Sequence, residues 1–192
     1  DALEARGSQL DFQIFATDLD PSAIEIARAG RYSKEIAGAV GARRLERFFD
    51  EQAHGYGIKK ELRERIVFAV QDVLHDPPFT RVDLIVCRNL LIYIVPRSQQ
   101  EILSTFHYSL NPGGLLLLGA SEHLGGSTAL FSTLDKRWRL FLRSDSVAPQ
   151  LPIRPSPRTA VTPVPGFEVS ARAIHEVDLA ETMRASLADR FG

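Results

Sequence analysis

Residues 82–94 read VDLIVCRNLLIYI, two apolar runs with Arg88 and Asn89 set between them. This stretch constrains the fold most, because an unpaired guanidinium taken out of water into the middle of a buried strand is heavily destabilising. The run is therefore expected to be two elements. VDLIVC reads as a buried strand, Arg88 and Asn89 mark its carboxyl end, and LLIYI starts the return toward the next helix.

Three other apolar runs end in the same way. FQIFATD (12–18) closes on an acid and passes into DPSAIEIARAG, where Asp20 can cap a helix, Pro21 suits its first turn and Gly30 terminates it. IVFAVQD (66–72) is a second core strand ahead of the proline-containing loop HDPPF. LLLLGAS (115–121) is almost purely apolar, as expected where helices cover both faces of a sheet. It follows a helix opened by Pro96, with Ile102, Leu103, Phe106 and Leu110 on one face, and a turn at NPGG (111–114). Residues 34–48 read as helical, and the HGYG centre of 48–68 as the turn of a small hairpin or a charged connector. RWRLFLR (137–143) alternates charged and apolar residues in the manner of an edge strand.

Strands alternating with helices argue for an α/β fold with a parallel sheet. Ligands of such sheets bind outside the carboxyl ends of the strands. That rule selects Asp18, Asp72 with Val73, Arg88 with Asn89, and the GASEH segment 119–123. An acid at the position of Asp18 can accept hydrogen bonds from a ribose diol, or it can help Asp20 begin the following helix. Asp72 has a similar choice between a nucleobase amine and the DPPF loop.

Composition narrows the chemistry. A formal net charge of −1 over 192 residues gives no bulk attraction to nucleic acid or anionic membranes, and no apolar run approaches a membrane span. A single cysteine excludes an internal disulfide framework and a cysteine-rich zinc site, and fits a cytoplasmic setting. Cys87 has no His–Asn partner pattern and reads as a small buried hydrophobe. The five histidines lack ligand spacing, so no metal is expected.

ATDLDPSAIEIARAGRYS, IVCRNLLIYI and LNPGGLLLLGASEHL together closely resemble the CheR family of chemotaxis receptor methyltransferases, over about residues 12–143. The resemblance implies a Rossmann-like class I methyltransferase sheet and methyl transfer from S-adenosylmethionine to glutamate side chains of chemoreceptors. It implies that Asp18 holds the cofactor ribose, that Asp72 and Val73 lie beside the adenine, and that Arg88 and Asn89 lie along the cofactor. Arg88 and Tyr93 would be the catalytic residues, with Tyr93 near the methyl group. Asp72 departs from the family's asparagine.

The family's glycine-rich cofactor loop, first strand and helical N-terminal domain have no counterpart in this sequence. DALEAR (1–6) reads as the end of a helix. The expected organisation is a partial methyltransferase domain over 1–146, with a possible small β-subdomain at 48–68. A proline-rich linker at 147–170 and a helical segment at 171–192 would follow, leading to another domain. Methylesterase, PAS or kinase domains are the fusions the resemblance implies. The alternative is a non-catalytic regulatory or sensory module that retains the fold. A nicotinamide dehydrogenase is disfavoured, because no hydride-transfer constellation is present. This chain alone is expected to bind S-adenosylmethionine poorly; micromolar affinity by calorimetry would overturn that expectation.

Overall fold

The computed structural model describes residues 11–145, which fall into two compact units, residues 11–72 and residues 73–145. The expected helix end at 1–6, the linker and the last helical segment lie outside the described residues.

The first unit begins with strand β1 (Ile14–Asp18) and helix α1 (Pro21–Ala29). The helix starts and stops on the residues expected of it. Asp20 Oδ1 accepts the Ser22 N–H at 2.8 Å, and Gly30, at φ 60°, donates its N–H to Ile26 and Ala27 carbonyls. Strand β2 (Arg31–Tyr32) follows, and then the region read as one helix divides at Gly41 into α2 (Ile36–Val40) and α3 (Ala42–Phe48). Gly41 sits at φ 82°, where a continuous right-handed helix cannot pass.

Strands β3 (Phe49–Gln52) and β4 (Gly55–Ile58) form the hairpin around HGYG, and β2 joins it to give an antiparallel sheet of order β2-β4-β3. Helix α4 (Lys60–Arg63) leads into β5 (Ile66–Val70), which pairs parallel to β1, Ile14 opposite Ile66 through Asp18 opposite Val70. Arg28 ties α1 to this pair by donating to the Phe68 carbonyl at 3.1 Å.

The second unit contains β6 (Val82–Cys87), a 3-10 turn (Leu91–Tyr93), α5 (Pro96–Ser109) and β7 (Leu110–Leu118). Strands β6 and β7 are parallel, with α5 as the connection between them, the βαβ arrangement. Ile102, Leu103 and Phe106 of α5 share a buried core with Cys87, Leu116, Leu118, Phe131 and Phe141. These crossovers and parallel pairs are those of a Rossmann-like α/β fold.

Two expectations need correction here. NPGG is not a turn ahead of the strand but lies within β7: Val82 pairs with Leu110 and Leu84 with Leu115, so residues 111–114 bulge opposite Asp83. Asn111 Nδ2 secures the bulge by donating to Asp83 Oδ1 at 2.8 Å. RWRLFLR is also not an edge strand. Strand β9 (Leu140–Arg143) lies between β7 and β8 (Phe131–Asp135) in the order β6-β7-β9-β8, and β8 is the edge. The alternation signalled a strand; its partner β8, interrupted by Ser132 and Thr133, carried too weak a pattern to reveal that β9 is flanked on both sides.

The hairpin sheet gives a test of local packing. A Cβ on Gly55 would run into the Tyr32 carbonyl oxygen, a backbone atom fixed by the β2–β4 ladder, whereas on Gly57 its nearest neighbours would be atoms of the Gln52 side-chain amide. Gly55→Ala is expected to destabilise the unit by roughly 1–3 kcal/mol, as overpacking does. Gly57→Ala should be milder, because Gln52 can swing away. Chemical denaturation of the two variants decides it; equal losses would refute the distinction.

Candidate functional site

The polar strand ends lie as the sheet rule requires. In the first unit Asp18 closes β1, and the Gln71 N–H donates to the Asp18 carbonyl at 2.9 Å, so Asp72 follows directly beyond the end of the neighbouring strand. The Asp18 side chain is exposed, and its Oδ1 accepts the Asp20 N–H at 2.9 Å. That contact is the helix-starting role left open by the sequence. It engages one carboxylate oxygen and leaves Oδ2 without a partner among the described residues. Asp72 is half-buried and makes interactions of its own.

In the second unit Arg88 and Asn89 stand at the carboxyl end of β6, both exposed. Asn89 adopts φ 59°, a left-handed conformation that asparagine tolerates better than most residues, and this turns the chain out of the strand. The Arg88 guanidinium and the Tyr93 hydroxyl have no partner among the described residues, and Tyr93 is 79% exposed. Val73 is different in kind, because its side chain packs against the hydrophobic core and leaves its backbone for any ligand contact. The structure thus assembles Arg88, Asn89 and Tyr93 around one loop, and Asp18 and Asp72 at the ends of one strand pair.

Glu122 was inside a segment selected from the sequence but carried no role there. It is 2% exposed, and its carboxylate accepts three backbone N–H groups. Oε1 takes those of Leu90 at 2.9 Å and Leu91 at 2.8 Å, and Oε2 takes that of Gly119 at 2.7 Å. A Cβ on Gly119 would lie 2.5 Å from Glu122 Oε2 and 3.4 Å from the Asn89 nitrogen, so only glycine permits this approach. Gln99 closes the other side of the turn, donating Nε2 to the Leu91 carbonyl at 2.8 Å and the Ile94 carbonyl at 2.9 Å. An acid three residues past a strand-end glycine is the one signal that could have marked Glu122.

Cys87 is buried and its thiol is pushed up from 9.0 to about 12, first by desolvation and then by the Glu122 charge. His107, on α5, is fully buried with Nε2 2.7 Å from the Ser144 carbonyl, where that nitrogen must carry the proton, and it meets Phe131 edge-on. The His107 Nδ1 is buried without a partner among the described residues. Among the described residues no cluster of three or more His, Cys, Asp or Glu could hold a metal, and no helix is long and apolar enough to cross a membrane. An open cleft lined by Arg28, Lys60, Arg63, Glu64, Ile66 and Phe68 contains none of the expected site residues.

The thiol supplies a test. An acid whose pKa is raised by folding stays protonated in the native state, so the associated stability is intact below the unfolded value near 9 and is lost as pH rises through about 12. Iodoacetamide at pH 8 should therefore leave Cys87 unmodified in the folded protein and alkylate it in denaturant. Rapid alkylation of the native protein would show the thiol to be reactive.

The sequence profile of the family described as CheR methyltransferase, SAM binding domain, matches residues 2–140. A 104.1 kDa protein from the hypE 3′ region of Rhodobacter capsulatus is 45% identical over 141 residues, covering 73% of this chain and 15% of its own length. Chemotaxis protein methyltransferase 1 of Pseudomonas aeruginosa is 38% identical over 115 residues, 58% of this chain and 42% of that protein. The chemotaxis protein methyltransferase of Vibrio parahaemolyticus is 37% identical over 121 residues, 62% and 44% respectively. This chain therefore spans less than half the length of these relatives. The cofactor of the matched domain is S-adenosylmethionine. With its parallel strand pairs, its polar strand ends and a profile match over most of its length, the chain belongs to the CheR methyltransferase family.

Proposed function

We propose that the protein of which this domain is part methylates glutamate carboxylates on the cytoplasmic domains of chemoreceptors, using S-adenosylmethionine. The observation that carries this reading is the loop after β6. It presents an exposed Arg88 that has no partner among the described residues, an Asn89 in a left-handed turn and an exposed Tyr93.

That inventory suits a carboxylate acceptor. A glutamate side chain, with an ordinary pKa of about 4.3, is already ionised at neutral pH and needs no base to activate it. When bound, S-adenosylmethionine supplies an activated sulfonium methyl group. The task left to the protein is alignment and the exclusion of water. Arg88 can hold the substrate carboxylate bidentately, and the Tyr93 hydroxyl can donate a directional hydrogen bond to it. Cys87, buried and held protonated, takes no part.

In the first unit, Asp18 is the residue we assign to the cofactor ribose. Its Oδ1 accepts the Asp20 amide, and its Oδ2, without a partner among the described residues, can accept from a ribose hydroxyl. By the family resemblance Asp72 is assigned to the adenine, and in the second unit Val73 and Asn89 are assigned to the cofactor. This assignment carries a cytoplasmic location with it, since the acceptor domains are cytoplasmic.

A second reading, a regulatory or sensory module that binds the cofactor without transferring methyl, is favoured by one observation. The relative at 45% identity is a 104.1 kDa protein of which the matched region is 15%, so a fused methylesterase, PAS or kinase neighbour is a reasonable context. Radiolabelled S-adenosylmethionine separates the readings. The full-length protein should transfer label to receptor, and mild alkali should release the label as methanol, the signature of a carboxyl ester. Arg88→Ala should lower kcat/KM by about a hundredfold or more, the scale of losing a positioning contact, with the fold intact. Cofactor binding without transfer would select the module; normal transfer by Arg88→Ala would remove Arg88 from the mechanism.

A further inference from the structure

We propose that Glu122, together with Gln99, is a positioning device for the Arg88–Tyr93 loop: the buried carboxylate and the amide hold the loop at both ends, so that Arg88 and Tyr93 are presented in one fixed arrangement. The inference rests on the proposed carboxyl methylation for its kinetic consequence, and on the geometry alone for its structural one.

The observations are independent of each other. Glu122 accepts from Leu90 and Leu91 directly after the Arg88–Asn89 pair, and from Gly119 at the end of the adjacent strand β7. Gln99, from the first turns of α5, donates to the carbonyls of Leu91 and Ile94, which flank Tyr93. One group therefore satisfies the N–H side of the turn and another its C=O side. Leu91 is held from both directions and is 2% exposed, while Tyr93 is 79% exposed. A loop whose exposed side chains must meet a substrate is otherwise the most mobile part of a fold. Here its backbone is bonded on both sides by Glu122 and Gln99.

A bare packing role for Glu122 predicts something different. Gln has the same shape but only one acceptor oxygen. Whichever way it is turned, its NH2 faces a backbone N–H that the carboxylate had accepted, so Glu122→Gln keeps the volume and breaks the clamp. Gln99→Met likewise keeps length and loses both donated bonds.

The test uses the full-length protein, its receptor and S-adenosylmethionine. Glu122→Gln and Gln99→Met are each expected to lower kcat by about tenfold to a hundredfold, with KM for the cofactor changing far less, as misplacement of aligning groups does. Hydrogen exchange at the amides of Leu90, Leu91 and Gly119 should be slow in the parent and markedly faster in Glu122→Gln. A core control, Phe131→Leu, chosen for an equal or larger loss of Tm, should retain the parent kcat. Parental kcat in Glu122→Gln, unchanged exchange at those amides, or an equal fall in the control would each overturn the inference. If the parent itself transfers no methyl, the proposed function fails, and the exchange data alone decide whether the clamp exists.

Discussion

A carboxylate buried to 2% exposure is unfavourable unless its charge is answered nearby, and among the described residues no cation pairs with Glu122. Three backbone N–H groups do so instead. Charge-assisted hydrogen bonds of this kind are roughly twice as strong as neutral ones. They also satisfy three donors that the chain would otherwise bury unpaired as it leaves two adjacent strands. Much of the unit's architecture follows. Gly119 must be glycine for the carboxylate to approach, the chain must turn sharply at Asn89 for Leu90 and Leu91 to point at it, and the neighbouring thiol is kept protonated partly by its charge.

Buried and exposed polar groups differ in what they are bonded to. On either side of Glu122 the strands β6 and β7 are apolar and packed under α5; in that region the Cys87 thiol is held protonated, and His107 is bonded through Nε2 while its buried Nδ1 has no partner among the described residues. The exposed groups at the strand ends are ordinary: an arginine, an asparagine, a tyrosine and the aspartate Asp18.

Much of this was legible in the sequence, for identifiable reasons. Helix α1 announced itself through Asp20, Pro21 and Gly30 because capping is a local interaction between near neighbours. The division of VDLIVCRNLLIYI after Cys87 followed from the desolvation of one guanidinium, and the strand does end there. What escaped depends on partners distant in the chain. Glu122 reaches back 32 residues to Leu90, and nothing in the spacing of an acid reveals which amides it will accept from. The bulge at 111–114 reads as a turn because asparagine, proline and glycine favour both, and only pairing with β6 distinguishes them. Strand β9 looked like an edge because its alternation is set by its faces, whereas its place in the sheet is set by β8.

The shared carboxylate has an implication for how this site can vary. Residues 88–91 and 119–122 are not two loops that drift separately, since a substitution in one changes the demand on the other through a single side chain. Loss of Glu122 would release Gly119 from its need to be small, and a bulkier residue at 119 would expel Glu122 first. Anyone grafting or shuffling this region between homologous scaffolds should therefore move the two segments as one cassette, with Gln99 carried along.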